Sequence, residues 1–210
     1  GGDGISAVRP DGTLRWPFSP PQRTHCAGAP ALGRDGAVYL GCQDDTVYAL
    51  NPDGTRRWEF RGGDDFDGSP SIGADGTIYI GGDDRRLYAL GPDGKPRFAL
   101  VTEGPIRATP AVGADGTIYV GSYDGGFYAV RDGTVAWVYR AAERIHGSAL
   151  IDATGVVLFG SQDDRLYALA SDGRLLWSVV LDGDVDSTPA LGPDGTLYVG
   201  GDDRALHALR

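Results

Sequence analysis

The chain has 210 residues, of which 19 are basic and 29 acidic, for a net charge of −10. An acidic chain with one lysine among its cations excludes a phosphate-binding surface for nucleic acid, and two cysteines are too few for a disulfide-stapled scaffold. No run approaches the ~18 apolar residues of a membrane span and no basic-plus-apolar leader is present; with no methionine either, the chain is expected to be a processed or excised piece without its own targeting segment.

In chain order, residues 1–26 predict a strand at Ile5–Val8, a turn at Pro10-Asp11-Gly12 and a strand carrying Trp16. From there one pattern recurs. AGAPALGRDGAVYLGCQDDTVYALNPDGTRRWEF returns as DGSPSIGADGTIYIGGDDRRLYALGPDGKPRFAL, then twice more, and ends as DSTPALGPDGTLYVGGDDRALHALR. The first-turn glycines fall at Gly36, Gly76, Gly116, Gly155 and Gly195, and the second-turn glycines at Gly12, Gly54, Gly94, Gly133 and Gly173. Each ~40-residue unit predicts four short strands. An apolar strand follows the Ser/Thr-Pro pair; an Asp-Gly hairpin leads to a strand such as Thr77–Gly81; a Gly-Asp-Asp turn leads to Leu87–Leu90; an x-Asp-Gly turn leads to a strand with an aromatic, Trp16, Trp58, Phe98, Trp137 or Trp177. No helical periodicity is sustained.

Repeated four-stranded antiparallel units specify an all-β fold, a β-propeller, because one blade can bury its faces only against its neighbours. The chain is read as a single domain with blades 27–67, 68–107, 108–146 and 147–186. Residues 187–210 plus 1–26 make a fifth blade equivalent that closes the ring, with the third strand duplicated at Ile5–Val8 and Leu206–Leu209. The fourth-strand aromatics, Trp137 and Trp177 among them, are expected to fill the gaps between blades.

The combination G-T-[IL]-Y-[IV]-G, L-Y-A-L, x-D-G and Trp resembles the pyrroloquinoline-quinone-like (PQQ-like) repeat over the whole chain. The resemblance implies an extracytoplasmic, mostly bacterial protein: periplasmic, secreted, or the outer part of a membrane-anchored one. Quinoproteins of the family place a vicinal Cys-Cys pair over the cofactor. This sequence has no such pair, so PQQ is not expected and the chain is read as non-enzymatic, a binding, scaffold or sensor propeller for a protein partner or small ligand, with a monomer favoured. The alternatives are a fragment of a larger seven- or eight-bladed quinoprotein-type propeller and a lectin-like multivalent sugar binder.

Variable loops at 18–30, 60–70, 99–110, 139–149 and 179–189 are expected to share one face, the usual place for binding residues. The residues entering each first strand, Ala27, Asp67, Arg107, His146 and Asp186, should ring its opening, and Phe66 and Tyr123 are the aromatics expected on loops or turns. Asp182, Asp184 and Asp186 alternate in one loop and offer oxygen ligands for a loose calcium site, though Ser187 and Pro193 exclude a full calcium hand. The recurring Asp pairs 44–45, 83–84, 163–164 and 202–203 are read as turn scaffolding, and His207 as a variant of the L-Y-A-L tyrosine. His25, Cys26 and Cys42 form an incomplete zinc set. Cys26 and Cys42 flank the hairpin turning at Arg34-Asp35-Gly36. Pair sums of 69 or 71 bring them within one register step, close enough for a disulfide, although proximity alone leaves the bond open. A reactive thiol pair would need a cationic setting, for which only Arg23 and His25 are near.

Overall fold

The computed structural model describes residues 4–21 and 24–210, which contain strands and turns and no helix. Arg23 lies outside the described residues. The strands, in chain order, are β1 Ile5–Val8 and β2 Leu14–Phe18; β3 Ala31–Leu32, β4 Val38–Cys42, β5 Thr46–Leu50 and β6 Arg56–Arg61; β7 Ser71–Ile72, β8 Ile78–Gly81, β9 Arg86–Leu90 and β10 Pro96–Val101; β11 Ala111–Val112, β12 Ile118–Gly121, β13 Gly126–Arg131 and β14 Thr134–Arg140; β15 Leu150–Ile151, β16 Val157–Ser161, β17 Arg165–Leu169 and β18 Leu175–Val180; β19 Ala190–Leu191, β20 Leu197–Gly200 and β21 Leu206–Leu209.

Each of the four complete repeats folds into one antiparallel four-stranded sheet in simple meander order. Turn chemistry dictates this. All ten turn glycines have φ between 76° and 87°, a region closed to most side chains. In the first hairpin Gly36 N–H donates to the Gly33 carbonyl at 2.9 Å, closing a three-residue turn, Arg34–Asp35–Gly36. Its strands therefore pair as Ala31 with Tyr39 and Leu32 with Val38, a sum of 70, between the two sums the sequence suggested.

The second and third strands are buried on both faces, as in β4 and β5, whereas the fourth alternates between half-buried and exposed. Two-sided burial needs a sheet on each side, and the apolar clusters lie between blades. One joins Tyr39, Val47 and Ala49 of the β3–β6 sheet to Phe66, Ile78, Ile80 and Tyr88 of the next. Equivalent clusters link β7–β10 to β11–β14, β11–β14 to β15–β18, and β15–β18 to β19–β21. At the other end Trp16 and Phe18 of β2 pack on Leu40, Tyr48 and Leu50.

Among the described residues no strand pairing joins the two ends: β1–β2 is a sheet of its own and β19–β21 another. Both ends bring their own third strand. A blade has one place for it, and each copy is already held by a local hairpin partner whose loop costs far less entropy than joining the chain ends. The β-propeller architecture stands, and among the described residues four four-stranded sheets are flanked by a two-stranded and a three-stranded one.

Candidate functional site

The face formed by the long inter-blade loops is built by a device that repeats. One residue in each loop, Phe66, Ile106, Ile145 or Val185, is completely buried. It sits against a strand-ending glycine of the preceding blade, Gly41, Gly81, Gly121 or Gly160, where any side chain would overlap it. Phe66 is thus a core anchor rather than an exposed loop aromatic. The residue before each anchor lends its carbonyl to the turn after the second strand: Asp83 N–H to Asp65, Tyr123 N–H to Pro105, Gln162 N–H to Arg144 and Asp202 N–H to Asp184, each at 2.9 Å. The two loop systems of this face are therefore locked together.

Cys26 stands where later blades have Phe66, Ile106, Ile145 and Val185, and it is disulfide-bonded to Cys42, with Cα atoms 4.0 Å apart. Here the preceding sheet is only β1–β2 and supplies no glycine seat, so a covalent tie to the chain's own β4 replaces apolar anchoring. The bonded sulfurs leave no thiolate for zinc or for a reactive pair. Cys26 lies in the loop before β3.

On this frame the residues entering the first strands meet residues that follow the second strand one blade earlier. Gln43 Nε2 donates to Asp67 Oδ1 at 2.8 Å. Arg107 donates to Asp83 through Nε at 3.0 Å and Nη2 at 2.5 Å, and its Nη1 lies 3.5 Å from Asp67. Gln162 Nε2 reaches both oxygens of Asp186, at 3.1 and 3.0 Å. Tyr123 meets His146 edge to face, with centroids 5.7 Å apart, and His146 Nδ1 lies 3.8 Å from Asp186. Asp67, Arg107, His146 and Asp186 thus form one continuous polar line. Ala27, at the corresponding place in the first blade, brings no polar group.

The centre of this line is cationic and aromatic: the Arg107 and Arg144 guanidinium carbons lie 5.5 and 5.7 Å from the Tyr123 ring centroid. Acidic groups flank it. Among the described residues Asp45, Asp64 and Asp65 gather on one side, and Asp184, Asp186 and Asp202 on the other. Partial burial, then repulsion from Asp64, Asp67, Asp45 and Asp83, pushes the Asp65 carboxyl above its usual range. Burial, then Asp186, Asp164, Asp202 and Glu143, does the same to Asp184. The Asp83 hydrogen bond raises Arg107 further and keeps it charged.

Of the alternating aspartates, Asp184 and Asp186 come together, but the third member of their group is Asp202 from the next turn, not Asp182. Spacing along one loop could not show a partner 16 residues away. The sequence reading passed over Gln43 and Gln162 and took Asp83 only as turn scaffolding and Tyr123 only as a loop or turn aromatic, although their separations of 23–24 residues from the ring positions are a legible signal.

The Asp pairs prove to be out of step with one another. The recurrent member is Asp44, Asp84, Asp124, Asp163 or Asp203, which accepts the hydroxyl of Tyr48, Tyr88, Tyr128 or Tyr167, or meets His207 Nε2 at 2.7 Å. This is scaffolding, and His207 is the tyrosine variant that the sequence suggested. Burial, with Asp124 as acceptor, pushes the Tyr128 phenol up to about 12. The other member varies in place: Asp83 and Asp202 precede the scaffold residue and reach the mouth, whereas Asp45 and Asp164 follow it.

A cavity of about 900 Å3 lies at the opposite end of the blades, framed by the tight first-hairpin turns at Asp35, Asp75 and Gly116 with Leu32, Ile72 and Val112. The loop face is instead an open, charged surface on four rigid blades.

The family model of outer membrane protein assembly factor BamB matches residues 43–169 and 146–210. The chain belongs to this BamB family of PQQ-like repeat propellers. A search of the curated proteins finds no match. Among solved structures, the crystal structure of BamB from Moraxella catarrhalis superposes with a TM-score of 0.75 at 17% identity, covering 95% of this chain and 64% of that one. At that identity the likeness concerns the fold. The chain spans about 64% of the BamB chain that it matches.

Proposed function

We propose that this BamB-family propeller is a non-catalytic, extracytoplasmic scaffold for a protein partner in outer membrane protein assembly, engaged through the loop face. The carrying observation is the charge layout of the mouth. Two carboxylate groups are centred on Asp65 and Asp184, and burial, followed by repulsion from the neighbouring carboxylates of each, holds those two carboxyls above their usual range. Between them Arg107, Arg144 and Tyr123 offer a flat cation–aromatic centre. A partner segment with two basic clusters and a central acidic or aromatic side chain complements this layout, and attraction of this kind favours fast, specific encounter more than raw affinity. An open surface on a rigid frame suits a protein better than an enclosed small molecule.

The family description, an assembly factor, supports the non-catalytic reading. PQQ has no vicinal cysteine pair to cover it, since the two cysteines are bonded across β4. A calcium ion on Asp184, Asp186 and Asp202 remains compatible with this scaffold role and would be structural. Photo-crosslinking in the periplasm tests the reading. A benzophenone side chain at Glu143 on the loop face is expected to capture a defined partner, and one at Asp53 on the opposite face is not. Adducts formed only from Asp53, or quinone-dependent turnover, would overturn it.

A further inference from the structure

We propose that the open edge of β14 accepts an extended, uncharged segment of a protein partner, with basic residues at its ends, as a fifth strand of the β11–β14 sheet. The inference concerns the outer rim of the blades and is independent of the loop-face reading.

β14 is the longest strand among the described residues, and it has a strand partner on one edge only, β13. The sheets packed on either side of it, β7–β10 and β15–β18, are both four-stranded, so its outer edge stays open with both neighbours in place. The Ala141 N–H donates to the Gly125 carbonyl at 2.9 Å, which sets the alternation along the strand. Trp137 and Tyr139 therefore bond inward to β13, whereas Val138 and Arg140 turn their N–H and C=O groups to the open edge.

The other outer strands have the same kind of edge, and what guards it differs. The place of Val138, opposite Tyr128 of the third strand, is taken by Pro17 in β2, Glu59 in β6, Ala99 in β10 and Ser178 in β18. Proline removes the donor, and Glu59 charges the rim between exposed Arg57 and Arg61. β10 opens with Pro96 and Arg97, and in β18 Arg165 reaches across to the Ser178 hydroxyl at 3.3 Å. β14 carries none of these guards. Val135 and Val138 are 41% and 38% exposed, and Ala136 is exposed between them. Arg140 folds back onto Asp124, 3.2 Å away, and over the Tyr128 ring. Free N–H and C=O groups beside apolar side chains are matched by another extended chain, whose main chain supplies the bonds and whose side chains supply the selection. The net charge of −10 opposes pairing of two copies along this edge and favours a segment with basic ends.

The probe is a labelled peptide of alternating valine and threonine with a lysine at each end. It is expected to bind the full chain at 1:1 and to slow hydrogen exchange of the Val138 and Arg140 amides, leaving those of Glu59 and Arg61 unchanged. Val138→Pro, which copies Pro17 of β2, should weaken binding by about tenfold or more, because it removes an outward N–H. Val138→Lys keeps that N–H and should weaken binding through its charge. Methylating alternate amides of the peptide should abolish binding to the unaltered chain, a loss that misfolding of a variant cannot produce. Absence of binding, binding insensitive to both Val138→Pro and peptide methylation, or a concentration-dependent dimer of the chain that Val138→Pro dissociates would overturn the proposal.

Discussion

The indole nitrogen of Trp58 donates to the carbonyl of Pro92, 34 residues further on, across the gap between two blades. This one bond joins the fourth strand of a blade to the last turn of the next, and the Gly94 backbone lies against the same ring. Removing the indole takes away apolar packing and leaves a carbonyl without its donor. Trp58 is only half-buried, so Trp58→Ala should cost about 2–4 kcal/mol, below the range for a fully enclosed ring. Trp177→Ala should cost less than about 1 kcal/mol in this chain, because no turn among the described residues covers that indole. The sequence alone placed Trp137 and Trp177 on an equal footing. Urea denaturation of the two variants decides it, and equal losses would refute the interface described here.

Two aspartates should respond to acid in opposite directions. Asp75 accepts from the Thr77 hydroxyl and amide and from Arg97, and its pKa is lowered to about 2. A depressed folded-state pKa contributes stability above the unfolded value, lost as pH falls from about 4 toward 2. Asp65 is raised, so its charged form opposes folding and protonation relieves it. At pH 7 Asp75→Asn should lower the denaturation midpoint and Asp65→Asn should leave it unchanged or raise it. Both differences should shrink at pH 2–3.

The buried tyrosines give an alkaline counterpart. Tyr48 and Tyr128 are pushed up to about 12, first by burial and then by the hydrogen bond to Asp44 or Asp124. The neutral phenol is favoured in the folded state, so stability holds below pH 10 and declines as pH rises from 10 toward 12. Ultraviolet titration should show a class of phenols that ionises only with unfolding, and Tyr128→Phe should remove one member of it.

Reduction of Cys26–Cys42 is expected to cost about 2–3 kcal/mol, from the 16-residue separation it closes. Loss should concentrate in the 24–30 loop, because no apolar anchor substitutes for the bond there. Hydrogen exchange with and without reductant would show this. Uniform loss of protection over all blades would contradict the local role.

The regularity of the repeat made most of the fold legible. Ten glycines at turn positions force ten reversals with φ > 0, and β-branched and aromatic runs between them have no stable alternative to paired strands. That Asp67, Arg107, His146 and Asp186 occupy equivalent places was legible too, because a periodic scaffold places equivalent residues equivalently. What tertiary structure alone decided is whatever depends on contacts between blades. Phe66 looks like a loop aromatic until the next sheet closes over it; Asp184 and Asp186 acquire Asp202 from another turn; Trp177 differs from Trp137 only in what faces it. Whether the two end segments share a blade is likewise invisible in a repeat, since both carry a valid third strand. Local pattern determines which strands form and how they turn, through backbone sterics acting within a few residues. Which copy of a strand takes a given place is settled by the balance between local hairpin pairing and the entropy of bringing distant ends together.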